Sequence, residues 1–200
     1  WTISADKRVY TFHLREDARW SDGTPVTAED FHWSFRRLLH PETASEYAYE
    51  LWYVVHAEKY TTGRVQIGDP VEIELLEKPQ GALPYASGII LRGTLLGKEM
   101  PSRQVAGEEP EPVYLVEIDG QQYRFQKPAG EGKPPSDPTA RVYRWLLYDF
   151  RQVGIEVLDQ RTLRMTLTHP VPYFLQMMGF FPMMPVPRQC LEKYGYPEWT

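Results

Sequence analysis

Four methionines, Met177, Met178, Met183 and Met184, stand close together and could offer thioether sulfurs to a soft metal ion. Phe174, Phe180 and Phe181 interleave with them, and methionine is the side chain that fills irregular apolar gaps, so the group reads as packing. The histidines His13, His32, His40, His56 and His169 show no H-x-x-x-H spacing that would put two imidazoles on one helix face. They read as surface or core residues. Glu16 with Asp17, and Glu29 with Asp30, are neighbouring carboxylates of the kind that acid–base catalysis uses. The first pair flanks a strand end. The second falls in the first turn of a helix, where the helix dipole and capping account for it. Cys190 has no base near it in the sequence and reads as an inert thiol. No catalytic residue, metal site or cofactor is expected.

The elements around these residues carry clearer signals. "VYTFHLR", residues 9–15, alternates like a half-buried strand. Asp22-Gly23 is a tight-turn dipeptide. Thr27-Ala28-Glu29-Asp30 then opens a helix whose core face is Phe31, Phe35, Leu38 and Leu39. A second helix is expected from about residue 46 to 60, capped by Thr43 or Ser45. Past Gly63 two strand-like runs appear, Val71–Leu76 and Gly88–Leu96. "VYLVEIDGQQYRF" is a hairpin with Asp119-Gly120 as its turn, and its Tyr114, Val116 and Ile118 face should be the buried one. Residues 127–140 form a Pro/Gly-rich linker.

Beyond the linker, Val142, Trp145, Leu146 and Phe150 have helical spacing. "IEVLDQRTLRMTL" reads as a hairpin across Asp159-Gln160, followed by two short helices in "VPYFLQMMGF" and "PRQCLEKYGYPEW". Helical and extended segments do not alternate regularly, so the fold class is α+β.

Composition sets outer limits. The chain has 200 residues, enough for one domain or one domain with a large insertion, and a net charge of −5. No Lys/Arg run stands out, so nucleic acid is not an expected partner. Aromatics reach 14% and there are 18 prolines, which implies many extended segments. The single cysteine rules out an internal disulfide framework. No apolar run approaches the roughly 20 residues needed to span a bilayer. A chain that opens on Trp1 instead of Met is read as a piece of something longer.

Residues 10–49, "YTFHLREDARWSDGTPVTAEDFHWSFRRLLHPETASEYAY", and 154–200, with "TLRMTL" and "PVPYF", resemble the oligopeptide/dipeptide-type solute-binding proteins of bacterial ABC importers. The resemblance implies a periplasmic-binding-protein-like fold (class II, cluster C), in which two lobes enclose an extended peptide and hand it to a membrane permease. It places this chain on the accessory lobe beside the N-terminal ligand-binding lobe. Residues 1–62 and 141–200 would form that lobe, and 63–140 an inserted β-rich subdomain, barrel-like and of SH3-like or OB-like size. Tyr47 matches a tyrosine that borders the peptide cleft in family members.

The resemblance further implies a non-enzymatic monomer, periplasmic or otherwise extracytoplasmic, tethered as a lipoprotein when full length. Its partners would be a peptide and the ABC permease. Two other readings stand beside it. The ligand could be a nickel chelate, sugar or haem in place of a peptide. Alternatively, the insertion could be a module that recognises a partner protein or the cell envelope. An enzyme would need a constellation that this sequence does not present.

Overall fold

The computed structural model describes residues 1–75, 89–100, 111–128, 130 and 134–194. The expected strand limits at Leu76 and Gly88, residues 129 and 131–133 of the linker, and residues 195–200 after the last helix lie outside them. The chain divides into two compact units, one from residues 1–62 and 150–194, the other from the stretch between Gly63 and Asp149.

The first unit is built on a four-stranded antiparallel sheet. β1 (Thr2–Ile3) pairs with β2 (Val9–His13), and the sheet continues through the late hairpin of β8 (Ile155–Asp159) and β9 (Thr162–Thr166) in the order β1-β2-β9-β8. Cross-strand rows place Tyr10 beside Met165 and Ile155, and Phe12 beside Leu163 and Val157. The alternation of β9 buries Leu163 and Met165, and Leu167 just beyond it is buried too. Gly154, at the entry to β8, cannot carry a side chain, because a Cβ there would lie 2.6 Å from the Thr166 carbonyl oxygen.

α1 (Ala28–Leu39) packs on β8 and β9 through Phe35 and Leu39, while Phe31 and Leu38 are only half-buried. Its start follows from the sequence. The Asp30 carboxylate accepts from the Thr27 N–H at 2.7 Å and from the Thr27 hydroxyl at 2.9 Å, closing the first turn. Just upstream, Gly23 takes φ +86°, and Asp22 accepts from the Thr24 N–H and hydroxyl. The far end of the chain is tied back to α1, where the Ser34 hydroxyl donates to Asp30 O and accepts from Val186 N at 2.9 Å. α3 (Phe174–Met177) and α4 (Arg188–Tyr194) are the two short helices after the hairpin.

The expected continuous helix over 46–60 is absent. In its place come 3₁₀ turns at Pro41–Thr43 and Ala48–Leu51, then α2 (Ala57–Thr62). The interruption has a cause. Val54 bridges to Leu167, and Val55 donates to Thr166 O and accepts from Gly154 N, so this β-branched pair is tied to the late hairpin instead of continuing a helix. His56, at φ +61°, then turns the chain into α2.

The second unit is a closed five-stranded barrel of β3 (Pro70–Leu75), β4 (Ile90–Glu99), β5 (Val113–Ile118), β6 (Gln121–Gln126) and β7 (Arg141–Tyr148). Neighbours are antiparallel except β6 and β7, which meet in parallel at Phe125–Arg141 and Gln126–Val142. The core is Val71, Ile73, Leu95, Val116, Phe125, Tyr143 and Leu146, with Tyr114 and Ile118 packed against it. The Tyr114–Val116–Ile118 face therefore does point inward. Asp119 and Gly120 both take positive φ, +51° and +75°, the conformation of a tight hairpin turn.

β7 corrects the sequence reading, which made residues 142–150 helical. It pairs with β3 and closes the barrel, so the second boundary falls at 149/150 and not at 140/141. The register against β3 skips Arg144 between the pairs Leu75–Tyr143 and Glu74–Trp145. One extra residue brings Tyr143 and Leu146 to the same interior, so a bulged strand shows a spacing of three. The loop ahead of β7 is fastened by Gln126, almost fully buried. Its amide nitrogen donates to Glu111 O and to the Ser136 hydroxyl, and its oxygen accepts from Asp137 N.

Candidate ligand-facing site

Tyr47 precedes the Ala48–Leu51 turn, and its N–H is held by the Ser45 hydroxyl at 3.3 Å. Its ring meets Phe180 and Phe181 edge-on, each at 5.4 Å between centroids, and those two rings lie 4.7 Å apart. The three rings form one cluster from two segments far apart in sequence. Tyr47 is half-buried, whereas Phe180 is 38% and Phe181 63% exposed. The Tyr47 hydroxyl has no hydrogen-bond partner among the described residues. Tyr49, Trp52 and Met184 add further exposed apolar surface to the same two segments.

The same stretches carry a second aromatic pair. The hydroxyls of Tyr53 and Tyr173 are hydrogen-bonded at 2.9 Å, and that bond pushes the Tyr53 phenol above its usual range. Tyr53 also faces the His169 ring at 5.8 Å, and His169 Nδ1 lies 3.0 Å from the Thr168 hydroxyl.

The other residues that drew attention are dispersed. Glu16 pairs with Arg161 at 3.0 Å, while Asp17 forms two hydrogen bonds with Arg15, which hold its carboxyl below the usual range. Asp30 is occupied by Thr27, and Glu29 is exposed. His32 and His40 are packing residues: His32 lies edge-on to Phe150 at 5.2 Å, and buried His40 accepts from Glu42 N. Desolvation lowers the His32 pKa, with Arg36 adding to it against the pull of Glu29. Among the described residues no group of three His, Cys, Asp or Glu could hold a metal. Met183 is buried and Met184 exposed, so these two neighbours do not share a face.

Among the described residues, the cavities of this unit include a cleft and a groove. A cleft of about 300 Å³ is lined by Trp20, Asp22, Asp30, Gln160, Arg188 and Cys190. Its charged groups are spent internally, Asp22 on Thr24, Asp30 on Thr27 and Arg188 on Glu192. An open groove of about 550 Å³ runs along Ile3, Lys7, Tyr10, Pro170 and Pro172. Among the described residues no helix is long and apolar enough to cross a membrane.

Comparison with known proteins places this arrangement in a family. The model of "Bacterial extracellular solute-binding proteins, family 5 Middle" matches residues 1–199. The periplasmic oligopeptide-binding protein OppA of Escherichia coli is 30% identical over 195 residues, which cover 98% of this chain and 21% of that protein. OppA of Salmonella typhimurium is 29% identical over the same shares, so the chain spans about a fifth of these relatives' length. A solved periplasmic oligopeptide-binding protein of Borrelia burgdorferi superposes with a TM-score of 0.53 at 26% identity, covering 98% of this chain and 23% of that one. The chain belongs to the bacterial extracellular solute-binding proteins of family 5.

Proposed function

We propose that this chain is the accessory lobe of the ligand-capturing component of an ABC importer for peptides, non-catalytic, with Tyr47 on the rim of the peptide cleft. The single observation that carries the reading is the Tyr47 phenol. Its ring is fixed edge-on by Phe180 and Phe181, and among the described residues its hydroxyl has no partner and so can serve a ligand. An extended peptide presents what such a group accepts, a backbone amide to hydrogen-bond and a flat surface to pack on the ring.

The names of the relatives support a peptide as ligand: OppA of two organisms is called oligopeptide-binding, and MppA of Escherichia coli murein peptide-binding. The reading includes a permease as membrane partner, an extracytoplasmic location with a lipoprotein tether in the full-length chain, and a monomer. The barrel between Gly63 and Asp149 is an insertion in this lobe.

The test is peptide calorimetry on the protein extended to its relatives' length. Tyr47→Ala weakens binding by about 1 kcal/mol, roughly fivefold in Kd, and Tyr47→Phe assigns the share due to the hydroxyl. Unchanged affinity in a folded Tyr47→Ala protein returns Tyr47 to the scaffold. A full-length protein that binds no peptide overturns the reading as a whole.

A further inference from the structure

We infer that Phe180 and Phe181, together with Tyr47, form a seat for an apolar side chain of the ligand, aromatic or long aliphatic, and so set its side-chain preference. This deepens the peptide reading and rests on it.

The backbone beneath the rings is anchored. Phe180 N donates to Met177 O, Met183 N to Phe180 O and Met184 N to Phe181 O, around a 3₁₀ turn at Phe181–Met183. Pro182 fixes φ inside that turn, and the Met183 side chain is almost fully buried below it. A firm turn that buries Met183 turns Phe181 outward, at 63% exposure, and holds an apolar surface away from the core of this unit. Exposed apolar clusters of this kind mark contact surfaces.

The occupant follows from charge and polarity. From Met165 through Pro187 the chain carries no Asp, Glu, Lys or Arg, so this strip offers no counter-ion to a charged ligand group. On the facing segment the Glu50 carboxylate accepts the Tyr49 hydroxyl. Among the described residues, the open polar group in the cluster is the Tyr47 hydroxyl, beside the two phenyl rings. One hydroxyl beside two exposed phenyl rings matches a peptide unit with its polar backbone and an apolar side chain.

Calorimetry on the protein extended to its relatives' length tests this with Ala-X-Ala peptides in which X is Gly, norleucine, Phe or Lys. Norleucine and Phe bind about tenfold more tightly than Gly, the scale expected for partly burying such a side chain. Phe180→Ser with Phe181→Ser erases that difference, read as the ratio of each Kd to that of Ala-Gly-Ala in the same variant, and the single Phe181→Ser, at the most exposed ring, removes part of it. An apolar preference that survives in the double variant overturns the inference, as does tighter binding of Lys than of norleucine. Tyr47→Ala weakens norleucine and Phe more than Gly, because one ring of the seat is lost; equal weakening of all four peptides keeps the peptide reading and overturns the three-ring seat. If none of the peptides binds, the reading and the inference fall together.

Discussion

Tyr143 and Leu146 sit in the same barrel core although they are three positions apart on one strand. The skipped pairing at Arg144 makes this possible. A helix would instead have placed Val142 and Leu146 on one face. Leu146→Ala should therefore cost about 2–4 kcal/mol in chemical denaturation, and Val142→Ala about 1 kcal/mol or less. Equal losses at both positions would restore the helical reading.

The same strand fixes where the barrel can be cut out. Replacing residues 64–148 by a short Gly/Ser linker should leave a soluble protein with a cooperative thermal transition, because the four-stranded sheet and α1 pair among themselves. A deletion that stops at 139 leaves β7 without its partners and exposes Tyr143, Leu146 and Leu147. That protein should aggregate, as unpaired apolar strands do. Light scattering on the two deletions separates the cases.

Two glycines of the barrel should fail for different reasons. At Gly93 a Cβ would lie 2.1 Å from the Glu117 carbonyl oxygen, with Val116 and Ile118 at 2.8 Å on either side. Gly93→Ala should push β4 off β5, with a loss above about 3 kcal/mol. Gly120 has nothing within 4 Å of that position but takes φ +75°, so Gly120→Ala should cost only about 1 kcal/mol. Denaturant midpoints rank the two, and a reversed order would contradict the packing described.

Acid should weaken the loop that leads into β7. The hydroxyl and N–H of Thr139, then the Arg124 guanidinium, hold the Asp137 carboxyl down to about 2. In the unfolded chain it titrates near ~3.9, so its contribution is complete above that pH and is lost as pH falls toward 2. Asp137→Asn should flatten the barrel's stability profile between about pH 5 and 2 and leave its shape at neutral pH unchanged. A steep acid limb that persists in the variant would assign the effect to other carboxylates.

How far the sequence could be read depended on how local each signal was. The Asp119-Gly120 hairpin and the start of α1 at Thr27 are decided within a few residues, and both stand where the spacing put them. The split of the second helix was not local. The helix breaks at Val54 because Tyr53 accepts from Thr168 N and Val55 donates to Thr166 O, partners more than a hundred positions later. β7 misled for a subtler reason, since a bulge inserts one residue into a period of two and mimics a helix turn. The family position points to Tyr47, whereas Phe180 and Phe181 read in the sequence only as packing among the methionines. Ring partners across such a span leave no periodicity that would join them to Tyr47.

Closing the barrel with β7 has a consequence for the order of events during synthesis. Val71 pairs with Tyr148, so the first strand to leave the ribosome waits for the last before its second edge is covered. Until then β3 can pair only with β4, and the core residues Val71, Ile73, Leu95 and Val116 face solvent or one another without Tyr143 and Leu146. Pairings this distant in sequence form slowly, and an open strand edge is the part of a nascent chain most apt to join a neighbouring copy. A ribosome stalled before Arg141 should therefore carry a barrel that still exchanges its amides, and one stalled well past Asp149 should carry a barrel that is protected.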